Sequence, residues 1–178
     1  MGAVRDGLVR VGDAIAVFGL GAIGLFIVQL AKIQGAELVF AADPIELRRE
    51  AATAVGADGV FDPNACDVSY EIKKATDKRG ADVNFEVSGN YNALHHAIRS
   101  VAFGGNVATV AVYKEAKGGF ELGAEWYLNR PNLISTRALV TQTATIRDGI
   151  KADYRYLLST SQRWEPSTRG YCPTSCTF

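Results

Sequence analysis

Cysteine and histidine are scarce in this chain, with three of the first and two of the second among 178 residues. Cys66, Cys172 and Cys176 are too few and too unevenly spaced to frame a disulfide-stapled fold, so a reducing compartment, the cytoplasm, is expected. Cys172 and Cys176 are separated by Pro-Thr-Ser, but one pair supplies only two of the four ligands a structural zinc takes. His95 and His96 adjoin, so on a helix they point apart and do not share an ion. No metal ligand is assigned. Charge excess is missing too. Lys plus Arg equals Asp plus Glu at 19 each, which leaves no net field to draw nucleic acid or anionic lipid. The apolar runs stop short of the roughly 18 residues a membrane span needs, and no apolar h-region of a signal peptide follows Met1. With no Ser elbow, no His-x-x-x-His and no paired acids on one helix face, no catalytic residue is assigned either.

What is present is an ordinary globular composition, 48% hydrophobic and 21% charged, enough to build a core for about one domain. The chain is organised around residues 13–24, an apolar run that breaks into Gly19, Gly21 and Gly24 and resumes as a second apolar run. The spacing is G-x-G-x-x-G between a strand and a helix. The first glycine permits a sharp turn, the second lets a pyrophosphate approach the backbone, and the third lets helix and strand pack closely. The bond donors opening the helix, from Leu20 through Ala22 and Ile23, would face the phosphates. A bland glycine-rich turn has the same composition, and it is the flanking strand and helix that favour a dinucleotide.

The rest of the chain alternates in the same way. Residues 1–11, with Val4, Leu8 and Val9 at helical spacing, read as the remnant of a preceding element. Strands are expected at Ala14 to Phe18, Leu38 to Ala42, Gly59 to Phe61, Ala81 to Val87, Val107 to Tyr113 and Leu133 to Ala138. Helices are expected from Gly24 to about Gln34, packed through Ile23, Ile27, Leu30 and Ala31, then at Ile45 to Val55, Asp67 to Thr76 and Tyr91 to Val101. Gly104-Gly105-Asn106 reads as the turn into the fifth strand. Strands apolar on both faces belong to a parallel sheet covered by helices, so the fold class is α/β. About six strands in the order 3-2-1-4-5-6 would form a doubly wound Rossmann sheet over residues 12–140. Residues 141–178, with Trp164, lack any recurring apolar spacing and read as an irregular tail.

Asp43 closes the second strand 22 residues after Gly21, where a carboxylate accepts hydrogen bonds from an adenosine ribose. It could equally cap the following helix. A 2′-phosphate beside it would meet repulsion of about 4 kcal/mol per unit charge at about 4 Å and an effective dielectric of about 20, so NAD is favoured over NADP. Arg48 and Arg49 weigh the other way, since a guanidinium can neutralise a 2′-phosphate; Arg48 can instead reach the ribose or stack on adenine. Ser88 and Gly89, after the fourth strand, would face the Gly19 loop across the cofactor, with Asn90 capping the next helix. Glu86 is an acid on an apolar strand and receives no catalytic role.

These residues together resemble the zinc-type medium-chain dehydrogenase/reductase family of alcohol, polyol and threonine dehydrogenases. The resemblance runs from about Gly12 to Arg137. It rests on the Gly12-Asp13 and glycine-loop segment, Asp43, Gly56-Ala-Asp, Gly80-Ala-Asp-Val-x-Phe-Glu-x-Ser-Gly89, Gly104-Gly105 and Trp126-Tyr-Leu-Asn-Arg130. It implies that residues Gly19 to Gly24 hold the pyrophosphate, Asp43 and Arg48 the ribose, Ser88 the cofactor side of strand four, and the backbone of Val110, Ala111 and Val112 the nicotinamide. It also implies that zinc and the proton relay belong to a catalytic domain ahead of this region, so that this chain binds cofactor without catalysing. A homodimer through the fifth and sixth strands is a further implication. Two other readings stay open: a non-catalytic NAD-binding or dimerising module, and a methyltransferase, because S-adenosylmethionine also uses a glycine loop and an acid after strand two.

Overall fold

Burial on both faces is the rule for the central strands. β1 (Ala14–Phe18) is buried at every position, and β2 (Leu38–Ala42) and β4 (Ala81–Glu86) nearly so. Such strands need helices above and below. The computed structural model describes residues 2–113 and 123–136, all of them within one unit, Met1–Thr141. With β3 (Gly59–Phe61), β5 (Val101–Thr109) and β6 (Asn132–Ser135) the strands form a six-stranded sheet. Every neighbouring pair is parallel, in the order β3-β2-β1-β4-β5-β6.

Alternation along the strands divides the apolar side chains between two cores. Ile15 and Val17 of β1 and Val39 and Ala41 of β2 pack with α1 (Gly2–Asp6), α2 (Ala22–Ile33) and α3 (Glu46–Ala54). Ala14, Ala16 and Phe18, with Phe40 and Ala42, pack with α4 (Val68–Ala75) and α5 (Tyr91–Ser100), and Trp126 of α6 (Ala124–Asn129) joins at the margin. Each large side chain so buried contributes roughly 1.5–3 kcal/mol.

Several expectations needed correction. Ile23 is 43% exposed, and the buried stripe of α2 is Gly24, Ile27, Val28 and Ala31, because Gly24 is the residue turned against the loop behind it. β5 begins six residues early and ends at Thr109, so Val110 to Tyr113 run past the sheet instead of inside it. Gly104-Gly105-Asn106 is no turn: β5 advances from Val101 to Asn106 while β4 advances only from Ala81 to Val83, an irregularity within the ladder. Glycine serves close approach there, since a Cβ on Gly105 would lie 2.8 Å from the Asp82 carbonyl oxygen. α6 was not foreseen. Of the sixth strand, residues 137 and 138 lie outside the described residues, as does the tail 141–178 with Trp164, Cys172 and Cys176.

One polar clamp ties the helices of the second layer together. Asp67 caps α4 by accepting from the backbone N–H groups of Ser69 and Tyr70. Its two oxygens also accept from Arg99 of α5 at 3.1 and 2.9 Å, and Arg99 donates onward to Glu125 of α6 at 3.2 Å. Burial favours the neutral acid at Asp67, yet the bonds from Arg99 and Tyr70 outweigh it and hold the carboxyl below its ordinary value of 3.8. Burial pushes the neighbouring His96 imidazole below 6.5, against the pull of Asp67.

The sign of the pH dependence follows. The unfolded chain takes up a proton at His96 before the native chain does, so stability falls as pH drops below about 6.5. Asp67 adds a loss as pH falls below about 3.8. Urea unfolding should therefore show a midpoint that declines between about pH 7.5 and pH 5.5, and His96→Gln should flatten that decline. Arg99→Gln should cost about 1 kcal/mol at neutral pH and shrink the acid loss, because it removes the bonds that keep Asp67 ionised.

Candidate functional site

The three glycines between β1 and α2 meet three different surroundings. Gly19 has φ +98°, and a Cβ on it would lie 2.8 Å from Ser88 N and 2.9 Å from Ser88 Cβ. A Cβ on Gly24 would lie 2.0 Å from the Gly19 carbonyl oxygen. Both are forced by the protein's own packing. A Cβ on Gly21 would meet nothing within 4 Å, and Gly21 opens α2 with no side chain bonded to the helix end. The bare amide end of a twelve-residue helix beside an unobstructed glycine is a cradle for an anion. Leu20 is buried, whereas Ala22 and Ile23 are exposed on the first turn of α2.

Asp43 lies directly beneath this loop. It is 3% exposed, its Oδ2 accepts from Leu20 N at 2.8 Å, and its Oδ1 accepts from Ile45 N at 2.9 Å. Ile45, not Asp43, occupies the cap position of α3, so the carboxylate links loop to loop instead of capping the helix. Arg48 Nη1 approaches Oδ2 at 3.4 Å and the Arg48 side chain is 47% exposed. A carboxylate offers about four lone-pair sites, and these three donors leave one. Arg49 is engaged elsewhere, with the Asp43 carbonyl at 2.9 Å and the Asp62 carboxylate at 3.3 Å.

Across the switch between β1 and β4, Glu86 does the matching work. Fully buried, it accepts through Oε1 from Ser88 N at 2.8 Å, Ser88 Oγ at 2.5 Å and Gly89 N at 3.0 Å. Its Oε2 accepts from the Tyr113 hydroxyl at 2.5 Å. Burial first, and then this bond to a carboxylate, raises Tyr113 far above the usual phenol range, so it stays a neutral donor. Val110 N donates to the Glu86 carbonyl at 2.8 Å, and a Cβ on Gly89 would lie 2.9 Å from the Val112 carbonyl oxygen. The Ser88-Gly89 turn and the Val110, Ala111, Val112 segment are thus packed together, which spacing alone could not show.

Two departures from expectation stand out. Ser88 lies against Gly19 directly and its hydroxyl is spent within its own turn, donating to Glu86 and accepting from Asn90 N at 3.1 Å. Glu86, the acid on an apolar strand, is paired within its own turn, and Tyr113 is the partner that its sequence position did not point to. Asn90 caps α5 as expected, accepting from Asn92 N at 2.8 Å.

The carboxyl ends of β1, β2 and β4 enclose a cleft of about 370 Å³. Gly19, Asp43, Arg48, Ser88, Asn64, Asn92 and His96 are among the residues that line it. This is the crevice where strand order reverses, the place where open α/β sheets bind ligands. Among the described residues no group of three or more His, Cys, Asp or Glu side chains could hold a metal ion, and no helix is long and apolar enough to cross a membrane.

Known proteins resemble this chain in sequence and fold. The zinc-binding dehydrogenase family profile matches residues 22–162. D-guloside 3-dehydrogenase of Escherichia coli K12 is 46% identical over 138 residues, which are 78% of this chain and 39% of that protein. Among solved structures, alcohol dehydrogenase TADH from Thermus sp. ATN1 superposes with a TM-score of 0.70 at 28% identity, covering 77% of this chain and 39% of that one. A chain from Sinorhizobium meliloti 1021, solved bound to NADP, superposes at 0.67 with 26% identity, over 75% of this chain and 41% of that one. The chain thus spans about two fifths of the length of the relatives it matches. A family profile covering most of the chain, laid over a six-stranded sheet with its glycine loop at the switch point, makes this chain a member of the zinc-binding dehydrogenase family.

Proposed function

We propose that this chain is the NAD-binding half of an alcohol or polyol dehydrogenase. The observation that carries the reading is Asp43, buried beneath the glycine loop, joined to Leu20 N and Ile45 N, with one acceptor site to spare. The loop from Gly19 through Leu20, Gly21, Ala22 and Ile23 to Gly24 receives the pyrophosphate on the amide end of α2. Asp43 and Arg48 take the adenosine ribose. Ser88 and Gly89 form the wall after β4, and the backbone of Val110, Ala111 and Val112 meets the nicotinamide. When bound, the nicotinamide supplies a hydride acceptor or donor. The residues of this chain hold and orient it, and Glu86 with Tyr113 keeps the two cofactor-facing segments in register. Oxidation of an alcohol or sugar hydroxyl is the reaction read from relatives such as D-guloside 3-dehydrogenase. Zinc and the substrate pocket are assigned to the portion of those relatives that lies beyond the match.

NAD is preferred over NADP in this reading because a 2′-phosphate would share the ribose site with a buried carboxylate. Of the two guanidinium groups that could offset that phosphate, Arg49 is engaged by Asp62 and Arg48 faces the Asp43 carboxylate itself. Pairing of two copies through the edge strand β6, where Leu133 is 44% exposed, fits the same reading. The family match supports a dehydrogenase and offers nothing to the methyltransferase alternative.

NADH titration by calorimetry or fluorescence tests the assignment. Gly21→Ala should leave folding stability within about 1 kcal/mol, since a methyl there meets no protein atom, yet weaken NADH binding about tenfold or more. Gly24→Ala should instead destabilise the fold itself, because its methyl cannot coexist with the Gly19 carbonyl. If Gly21→Ala binds NADH as the parent does, the loop is not the pyrophosphate site.

A second titration compares NADH with NADPH. The parent should favour NADH by about tenfold or more, and Asp43→Asn should erode that preference by removing the charge. The same change should cost about 1–3 kcal/mol of stability, because an amide nitrogen would face a backbone N–H now paired with the carboxylate. Equal affinity of the parent for both cofactors would overturn the NAD assignment.

A further inference from the structure

His96 is the one imidazole on the wall of the cleft, and the dinucleotide reading gives it no task. It sits on α5, half-buried, and lines the cleft together with Asn64, Asn92, Asp43 and Arg48. Nδ1 lies 2.9 Å from Ser69 Oγ and 3.6 Å from Asp67 Oδ1. The Ser69 hydroxyl is also 3.1 Å from the His96 carbonyl oxygen, a position in which it donates to that carbonyl and accepts from Nδ1. A bare lone pair on Nδ1 would be repelled by the Asp67 carboxylate, so the proton of the neutral ring resides on Nδ1. Nε2 is then an unprotonated acceptor, and it has no hydrogen-bond partner among the described residues.

We infer that His96 reads the purine edge of the dinucleotide, its Nε2 accepting from the exocyclic amino group of adenine. The inference rests on the dinucleotide reading: with the ribose beside Asp43, the base attached to it extends along the same cleft. Adenine presents an amino donor at its six position. Hypoxanthine presents a carbonyl oxygen there, which would set a lone pair against the lone pair of Nε2. The site therefore selects an adenine dinucleotide over its deaminated analogue by the tautomer of one ring, a tautomer that Asp67 and Ser69 impose from α4 and its cap.

Protonation works against the selection. A charged His96 carries a donor at Nε2, which repels the amino group and donates to the carbonyl oxygen. Burial lowers the affinity of His96 for that proton; Asp67 acts in the opposite sense, and Arg99 and His95 reinforce burial. Asp43 and Arg48 are the other charged groups lining the cleft. Adenine selectivity should accordingly hold at neutral and alkaline pH and persist somewhat below 6.5, fading only in the more acid range to which burial has moved His96.

The experiment measures dissociation constants of the 178-residue chain for NADH and reduced nicotinamide hypoxanthine dinucleotide by calorimetry, at about pH 8 and at successively lower pH below 6.5 for as long as the chain stays folded. At the highest pH the adenine form should bind about tenfold or more tightly, and toward the lowest pH the ratio should shrink several-fold. His96→Leu and His96→Gln, checked for folding by circular dichroism, should each bring the two cofactors within about twofold and abolish the pH effect. The second variant retains a polar group that can present either a donor or an acceptor. Equal binding of both cofactors by the parent at pH 8, or undiminished selectivity in a folded variant, would overturn the role of His96 while leaving the dinucleotide reading intact. Failure of the parent to bind either cofactor would overturn both.

Discussion

Two buried carboxylates, Asp43 after β2 and Glu86 at the end of β4, hold the site together by accepting backbone N–H groups that would otherwise be orphaned. Leu20 N and Ile45 N depend on Asp43, and Ser88 N and Gly89 N depend on Glu86. Each carboxylate satisfies two, and Leu20 N, the buried one of the four, would cost about 1–3 kcal/mol if left without a partner. The acids therefore set the shape of the loops flanking the switch point, and the cleft between those loops follows from them. Charge beside the glycine loop is first of all a structural necessity.

The sheet makes this arrangement possible. Central strands buried on both faces leave their carboxyl ends as the only places where backbone polar groups emerge from apolar surroundings, and the reversal of strand order between β1 and β4 separates the loops there. The loop glycines divide their duties accordingly. Gly19 and Gly24 satisfy contacts inside the protein, with Ser88 and with the Gly19 carbonyl, while Gly21 meets no protein atom. The loop therefore contains two glycines required by its own packing and one that is not. The second helical layer reaches the same cleft through the Asp67, Ser69 and His96 set, so one clamp serves both packing and the lining of the site.

Element type and order were legible in the chain because periodicity is local. The continuous apolar runs of β1 and β2, the stripe Leu94, Ala97, Ile98 on α5, and the caps Asp67 and Asn90 all rest on residues a few positions apart. Reading failed where the deciding partner was distant. Gly104 and Gly105 carry the composition of a turn, and only the approach of the Asp82 carbonyl shows that they lie inside a strand. Ile23 has the spacing of a core residue, and the packing of Gly24 against Gly19 turns it to solvent.

By itself the sequence determined that a glycine loop joins a buried strand to a helix, that an acid closes the next strand, and that alternation continues into a parallel sheet. Those are properties of neighbours along the chain, imposed by side-chain period and glycine sterics. Only the tertiary structure decided what each acid holds, that Tyr113 reaches back 27 residues to Glu86, and that His96 stands on the wall of the cleft opened by Gly19. A hydrogen bond between distant residues has no period to read, because it depends on where the sheet carries each end of the chain.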